Sequence, residues 1–252
     1  MQHRMINRFK IIPWIIPFLL LLLWQFLTVS GIVPENVFPR PMDVVQAFIE
    51  LMKNGQLESN VGISASRAFA GFLIGGGIGF LFGLLNGLFK GFYWLTDTSI
   101  QMIRNVPHLA VLPLVIVWFG VGETGKVFLV SLGVLFPIYI NTLHGIRSVD
   151  PKLIEMGRVY GLSKWSLFTQ IILPGSLSSI FVGIRYALGV MWLTLIVAET
   201  VATNSGIGYM AMNARDFMQM NIIVLSIIIY ALLGKLSDLI AKLLEHLFLK
   251  WE

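Results

Sequence analysis

Gly120-Val121-Gly122-Glu123-Thr124-Gly125 has the G-x-G-x-x-G spacing that lets a backbone approach a dinucleotide pyrophosphate. Extended by Lys126 it reads G-x-x-x-x-G-K, close to a phosphate-binding loop. That chemistry fails at Val127, which stands where a Ser or Thr hydroxyl must hold Mg²⁺. The flanks are apolar runs of membrane length rather than a strand and a surface helix. No acidic residue lies near the position that would hold a ribose, since Asp150 is about 25 residues on. The segment reads as a tight turn, and the chain is expected to carry no nucleotide site and no cofactor of its own. His3, His108, His144 and His246 are isolated and share no ligand spacing with carboxylates, so no metal is expected. No Ser/His/Asp or paired-carboxylate arrangement appears, which argues against an enzyme. The absence of Cys excludes disulfides and thiolate metal sites.

A second stretch suggests contact rather than catalysis. Glu155-Met156-Gly157-Arg158-Val159-Tyr160-Gly161, followed by Ile171-Ile172-Leu173-Pro174, is a polar island in an oily chain. Pro151 can start a helix there, because its missing N–H is not needed in the first turn. Leu153, Ile154 and Met156 supply apolar contact area; Lys152, Glu155 and Arg158 supply a charged rim. Gly157 and Gly161 permit close backbone approach, and Gly161 suits a helix end. Ser163 can cap a second helix from Lys164 toward Leu173, which Pro174 is expected to break. Such a loop of roughly thirty residues between apolar spans offers a surface for a soluble partner to grip.

The elements that carry it are membrane helices. Charged residues make up 12% of the 252-residue chain, half of the ~25% usual in soluble domains, and 56% of residues are hydrophobic. Runs near twenty residues match a hydrocarbon core of about 30 Å crossed as helix. The sequence predicts an all-α membrane protein with about six spans, near 11–30, 62–89, 98–119, 126–145, 176–200 and 221–243. The first run, preceded by Arg4, Arg8 and Lys10, is longer than a signal-peptide core and reads as an uncleaved span. Arg147, Lys152, Arg158 and Lys164 of the long loop, Lys90, Lys250 and the basic N-terminus fall on one side. Arg40, Lys53 and Arg215 fall on the other among Glu35, Asp43, Glu50, Glu58, Glu123 and Asp216. That bias predicts both termini and the Glu155 loop in the cytoplasm, and the net charge of +5 reports orientation rather than nucleic-acid binding.

Residues 1–58 read as the first span plus an outer linker with Pro34, Pro39 and Pro41. An amphipathic helix from Asp43, with Val44, Val45, Phe48, Ile49 and Met52 as its apolar face, is expected at the outer surface. Residues 59–245 read as the transport core, with the long loop at 146–175, and 246–252 as a cytoplasmic tail. A short helix is expected around Met210–Phe217. In the second span Gly71, Gly75, Gly79, Gly83 and Gly87 recur every four residues and form a slowly winding groove. The groove suits tight helix packing in lipid, or a sliding surface. Ionisable and polar residues within spans are costly and are candidates for a translocation path. These are Arg104, Asn105 and His108 beside Pro107 and Pro113, then Arg185, Trp192, Thr194 and Glu199.

The spacing of Glu155, Gly157, Gly161, Ile171, Leu173 and Pro174 resembles the E-A-A, three residues, G, nine residues, I-x-L-P loop of ATP-binding-cassette (ABC) importer permeases. Met156 and Gly157 replace the two alanines. Arg104-Asn105-Val106-Pro107, Pro113-Leu114 and Trp118-Phe119-Gly120 are similar to the same family. The runs Gly189–Thr200, Ser205–Met210 and Asn213–Phe217 resemble its aliphatic-sulfonate permeases, in the branch with taurine, nitrate and bicarbonate permeases. The resemblance implies a type I importer permease fold in a bacterial inner membrane. It also implies a homodimeric pore, two ATPase subunits that bring ATP and Mg²⁺ to the loop, and an extracytoplasmic substrate-binding protein. It assigns ATPase coupling to Leu153, Ile154, Glu155, Gly157, Gly161, Leu173 and Pro174. A gradient-driven secondary transporter is the rival, and would need a membrane-embedded carboxylate; the spans offer only Glu199 and Asp238.

Overall fold

The computed structural model describes residues 12–34, 37–201 and 203–249, without the side chains of residues 12–14 and 108. His3, Arg4, Arg8, Lys10, Glu35 and Lys250 therefore lie outside the described residues, as does the end of the expected tail. The chain divides into two compact units. One comprises residues up to Asn60 with Met210–Ile229, the other Val61–Tyr209 with the residues from Tyr230 onward.

In the first unit, α1 (Ile12–Val29) is an apolar helix of 18 residues, about 27 Å at 1.5 Å per residue. Its end is tied to the linker where Trp24 Nε1 donates to the Pro39 carbonyl at 2.9 Å. Helix α2 (Pro41–Lys53) starts with proline in its first turn, and the Asp43 carboxylate accepts from the Arg40 N–H at 3.1 Å. It buries Val44, Ala47 and Leu51, and the rest of the expected apolar face, Val45, Phe48, Ile49 and Met52, is exposed. Apolar residues surround most of this helix, so composition alone did not choose the face; the small Ala47 allows the close approach.

The second unit is a helical bundle. It holds most of α3 (Gln56–Leu88), then α4 (Lys90–Arg104), a 3-10 turn at His108–Val111 and α5 (Leu112–Phe119). Helix α6 (Glu123–Ser148) leads into the loop helices α7 (Pro151–Val159) and α8 (Lys164–Leu167). A π turn at Phe168–Ile172 joins α8 to α9 (Leu173–Thr200); α10 (Ile207–Asp216) and α11 (Met220–Phe248) follow, of which Met210–Ile229 belongs to the first unit and the part from Tyr230 to the second. Among the described residues, α3, α6, the run Lys164–Thr200 and α11 are long and apolar enough to cross a membrane.

The third span is broken next to Pro107, one of the two prolines expected to interrupt it. Helix starts at Lys90, earlier than position 98, and α4 meets the segment Leu109–Phe119 at a bend of 75°. The reason is local: Pro107 disfavours helix at Val106 and lacks the N–H a continuing helix needs. The pair counts as one further span if each bent half is joined to the other.

Pro174 does not end the helix before it, contrary to expectation. Helix runs from Lys164 through to Thr200, with Pro174 in the first turn of α9. The wider π turn takes up the ring that would clash with the carbonyl four residues back. Helix α8, the π turn and α9 are thus one continuous rod.

Candidate functional site

The loop at 146–175 is built from caps and glycines. Asp150 caps α7, its Oδ1 accepting from Lys152 N–H at 2.9 Å, with Pro151 in the first turn. Gly161 closes α7 at φ +76°, a region where a Cβ is strained, and Leu162 N–H returns to the Gly157 carbonyl at 3.0 Å. Ser163 Oγ then accepts from Ser166 N–H at 3.1 Å and starts α8. Gly157 is buried: a Cβ there would fall 2.7 Å from both Ile171 Cδ1 and Leu167 Cδ1. That contact folds α7 flat against the π turn. Leu173 and Pro174 lie in the joint behind it, half-buried, as is Ile154. Glu155 is exposed, and Leu153, Met156, Val159, Tyr160 and Trp165 present a broad uncovered apolar surface around it.

The two rods leaving the loop are packed along their length. A Cβ on Gly145 would meet the Ser176 carbonyl at 2.8 Å, one on Gly183 would meet Asn141 Cβ at 2.6 Å, and one on Gly133 would meet Thr194 Oγ1 at 2.8 Å. Ser179 Oγ donates to the Asn141 carbonyl at 2.8 Å. The groove of α3 faces α6 as well. Gly75 and Gly79 lie on the backbones of Ser131 and Leu135, and Gly71, Gly83 and Gly87 on Val130, Thr142 and Ile146. At the loop end, Asn86 Nδ2 donates to Tyr139 Oη at 2.6 Å, and that hydroxyl donates to Asp97 Oδ1 at 2.7 Å. The Arg147 guanidinium lies 3.7 Å over the Tyr93 ring. These bonds join α3, α4 and α6.

The candidate path residues are dispersed. Arg104 and Asn105 are exposed at the bend between α4 and the 3-10 turn, and the His108 side chain is outside the described set. Arg185 is half-exposed and pairs with Asp238 at 3.2 Å and Glu245 at 3.4 Å on α11. Trp192 is buried, donates to Ser237 Oγ at 3.0 Å, and lines an apolar cavity of about 470 Å³ between α3, α9 and α11. Thr194 is buried between α6 and α9.

Glu199 lies at the centre of an ion cluster that sequence reasoning missed, buried at Glu199, Arg67 and Lys126 and open to solvent at Glu123. The carboxylate, 0% exposed, accepts from Arg67 Nη1 at 2.7 Å, Ser64 Oγ at 2.8 Å, Gly208 N–H at 3.0 Å and Tyr230 Oη at 2.9 Å. Arg67, 2% exposed, also grips Glu123 through Nε and Nη2 and donates to the Ser205 carbonyl and hydroxyl, each at 2.8 Å. Lys126 Nζ lies 3.4 Å from Glu123, so two cations and two carboxylates balance. Gly206, at φ +105°, is pressed against the ion pair, where a Cβ would fall 2.5 Å from Glu199 Oε1. The G-x-G-x-x-G turn thus serves as a corner that presents Glu123 and Lys126 to Arg67. An Arg lying inside the second apolar run was the signal that could have exposed the cluster.

Comparisons with known proteins converge on this architecture. Residues 75–250 match the family model of binding-protein-dependent transport system inner membrane components. The chain is 55% identical to the protein named as the aliphatic sulfonates transport permease SsuC of Escherichia coli (strain K12), over 96% of this chain and 92% of that one. It is 45% identical to the Bacillus subtilis (strain 168) protein of the same name, over 94% and 86%. The taurine transport system permease TauC of Escherichia coli (strain K12) is 29% identical over 92% and 86%. In fold, the chain is similar to a crystal structure of an amino acid ABC transporter, with a TM-score of 0.65 at 18% identity over 79% of this chain and 97% of that one. This all-α, multi-pass membrane protein belongs to the binding-protein-dependent transport system inner membrane components, the permease subunits of ABC importers.

Proposed function

We propose that the chain is the membrane subunit of an ATP-driven importer of aliphatic sulfonates. The observation that carries the substrate is the 55% identity to a sulfonate permease across nearly the whole chain, against 29% to a taurine permease. In this reading residues 59–245 form the transport core of a bacterial inner-membrane protein with both termini cytoplasmic, and two copies form the pore. The loop at 146–175 faces the cytoplasm, where its apolar surface and Glu155 receive one of two ATPase subunits that bring ATP and Mg²⁺. Leu153, Ile154, Glu155, Gly157, Gly161, Leu173 and Pro174 form that contact and its backing. A binding protein delivers substrate on the opposite face. Arg104, Asn105 and Arg185 are the polar residues best exposed to a path.

The joint geometry supports a lever: α7 is flat and exposed, two residues removed from α6, and joined through the Gly161 turn to α8, which is continuous with α9. The rival with gradient coupling is disfavoured, because Glu199 and Asp238 are both already ion-paired. The test is reconstitution with the ATPase subunits and binding protein in proteoliposomes. Ethanesulfonate should stimulate ATP hydrolysis and enter only with ATP, and taurine, nitrate or bicarbonate should do so weakly. Uptake that persists without ATP and collapses with an uncoupler would sink the reading.

A further inference from the structure

We propose that the Arg67–Glu199 cluster is a staple that ties the far ends of α3, α6 and α9 to one another and to α11 at Tyr230, so that a stroke at the loop reaches the opposite face of the membrane. This rests on the importer reading above.

The cluster draws on four helices of the second unit. Ser64 and Arg67 come from α3, Glu123 from the first turn of α6, Glu199 from the last turn of α9, and Tyr230 from α11. Ser205, Ile207 and Gly208 bring in the segment after α9, with Ile207 N–H donating to Ser64 Oγ at 2.9 Å. The loop lies at the other end of the same rods. Helix α6 has 26 residues and α9 has 28, so about 40 Å of helix separates the two ends at 1.5 Å per residue.

Stability alone does not call for charges here. Taking an ion pair out of water costs several kcal/mol per ion, and well-packed apolar residues often hold as well. What the ions add is direction. Apolar faces slide across one another at little cost, whereas Arg67 spends its whole donor set in one planar geometry. Along their length the rods already meet through glycines, where backbones touch and few side chains interlock. At the loop end α3 and α6 are tied through Asn86 and Tyr139, whereas here the charges tie α9 to both, so a shear of α9 against α3 is resisted by Arg67 and Glu199. Two otherwise unexplained sequence features serve the staple. The Gly120–Lys126 turn supplies Glu123 and Lys126, and Gly206 and Gly208 leave room for the Glu199 carboxylate and Cβ.

The test uses the assembled transporter in proteoliposomes, with radiolabelled ethanesulfonate as probe, and reads molecules imported per ATP hydrolysed. Wild type is compared with Glu199→Gln at matched amounts of complex. The ratio should fall at least tenfold. A Glu199→Gln ratio within twofold of wild type overturns the staple, even if both rates drop together, because that marks a cluster that merely stabilises. If Glu199→Gln does not assemble, Tyr230→Phe removes one donor and leaves every charge paired. Its ratio should fall twofold to fivefold, and an unchanged ratio overturns the proposal. Wild-type uptake independent of ATP overturns both the importer reading and the staple; ATP-driven uptake with unaltered variants overturns the staple alone.

Discussion

Gly75 of α3 sits directly on the backbone of Ser131 in α6, with no room between them for a Cβ. The obstructing atoms are main chain, which cannot rotate away. Gly75→Leu should therefore force α3 off α6 at a cost of about 1–3 kcal/mol or more, the range for overpacked interiors. Gly77, on the same helix, faces open space. Gly77→Ala should be neutral or raise stability by under about 1 kcal/mol. Thermal unfolding of the two variants in detergent checks the contrast. Equal melting temperatures would show that the groove is not a packing surface.

Glu155 and Gly161 stand on the exposed face and at the turn of the loop, and their replacement should spare the bundle. Gly161→Val places a β-branched residue at φ +76°, costing of order 1–2 kcal/mol locally. Glu155→Lys reverses the charge on a solvent-exposed rim. Both variants should insert and melt as wild type does to within a few degrees, yet lose substrate-stimulated ATP hydrolysis. Normal hydrolysis and uptake in either would remove the coupling role from this loop.

Tyr139 Oη is the shared partner of Asn86 and Asp97 inside the bundle. Tyr139→Phe keeps the ring and strips both neighbours of one bond. Leaving buried polar groups unsatisfied costs about 1–3 kcal/mol. Chemical denaturation in mixed micelles should show that loss, and a change below about 0.5 kcal/mol would place water rather than the hydroxyl between the two groups.

The Arg185 pairs with Asp238 and Glu245 are half-exposed and longer than 3 Å. Their contribution to stability should be under about 1 kcal/mol. Arg185→Gln should therefore fold normally. If the residue faces an anion path, its uptake rate should fall severalfold with the ATPase assembly intact. Uptake equal to wild type would assign Arg185 to joining α9 and α11 only.

Much of the architecture was legible because it rests on local rules. Apolar runs and charge bias carry the spans, and the residues from Asp150 to Ser163 carry the loop, since a cap and a turn glycine each depend on a few adjacent residues. The five glycines gave the groove by period alone. Pro107 foretold the break in the third span, but not its 75° angle. Pro174 misled, because a π turn can absorb a proline that a regular α-helix cannot. On α2, apolar residues on most sides left the buried face open, and neighbours selected Val44, Ala47 and Leu51.

The sequence by itself determined the class, the long apolar helices and a polar loop of short capped helices, all properties of consecutive residues. Tertiary structure alone decided the partner of Glu199. Arg67 is 132 positions away, and Glu123, Ser205 and Tyr230 come from three other places in the chain. A buried charge must find its counter-charge in space, and sequence separation carries no record of which helix ends will meet.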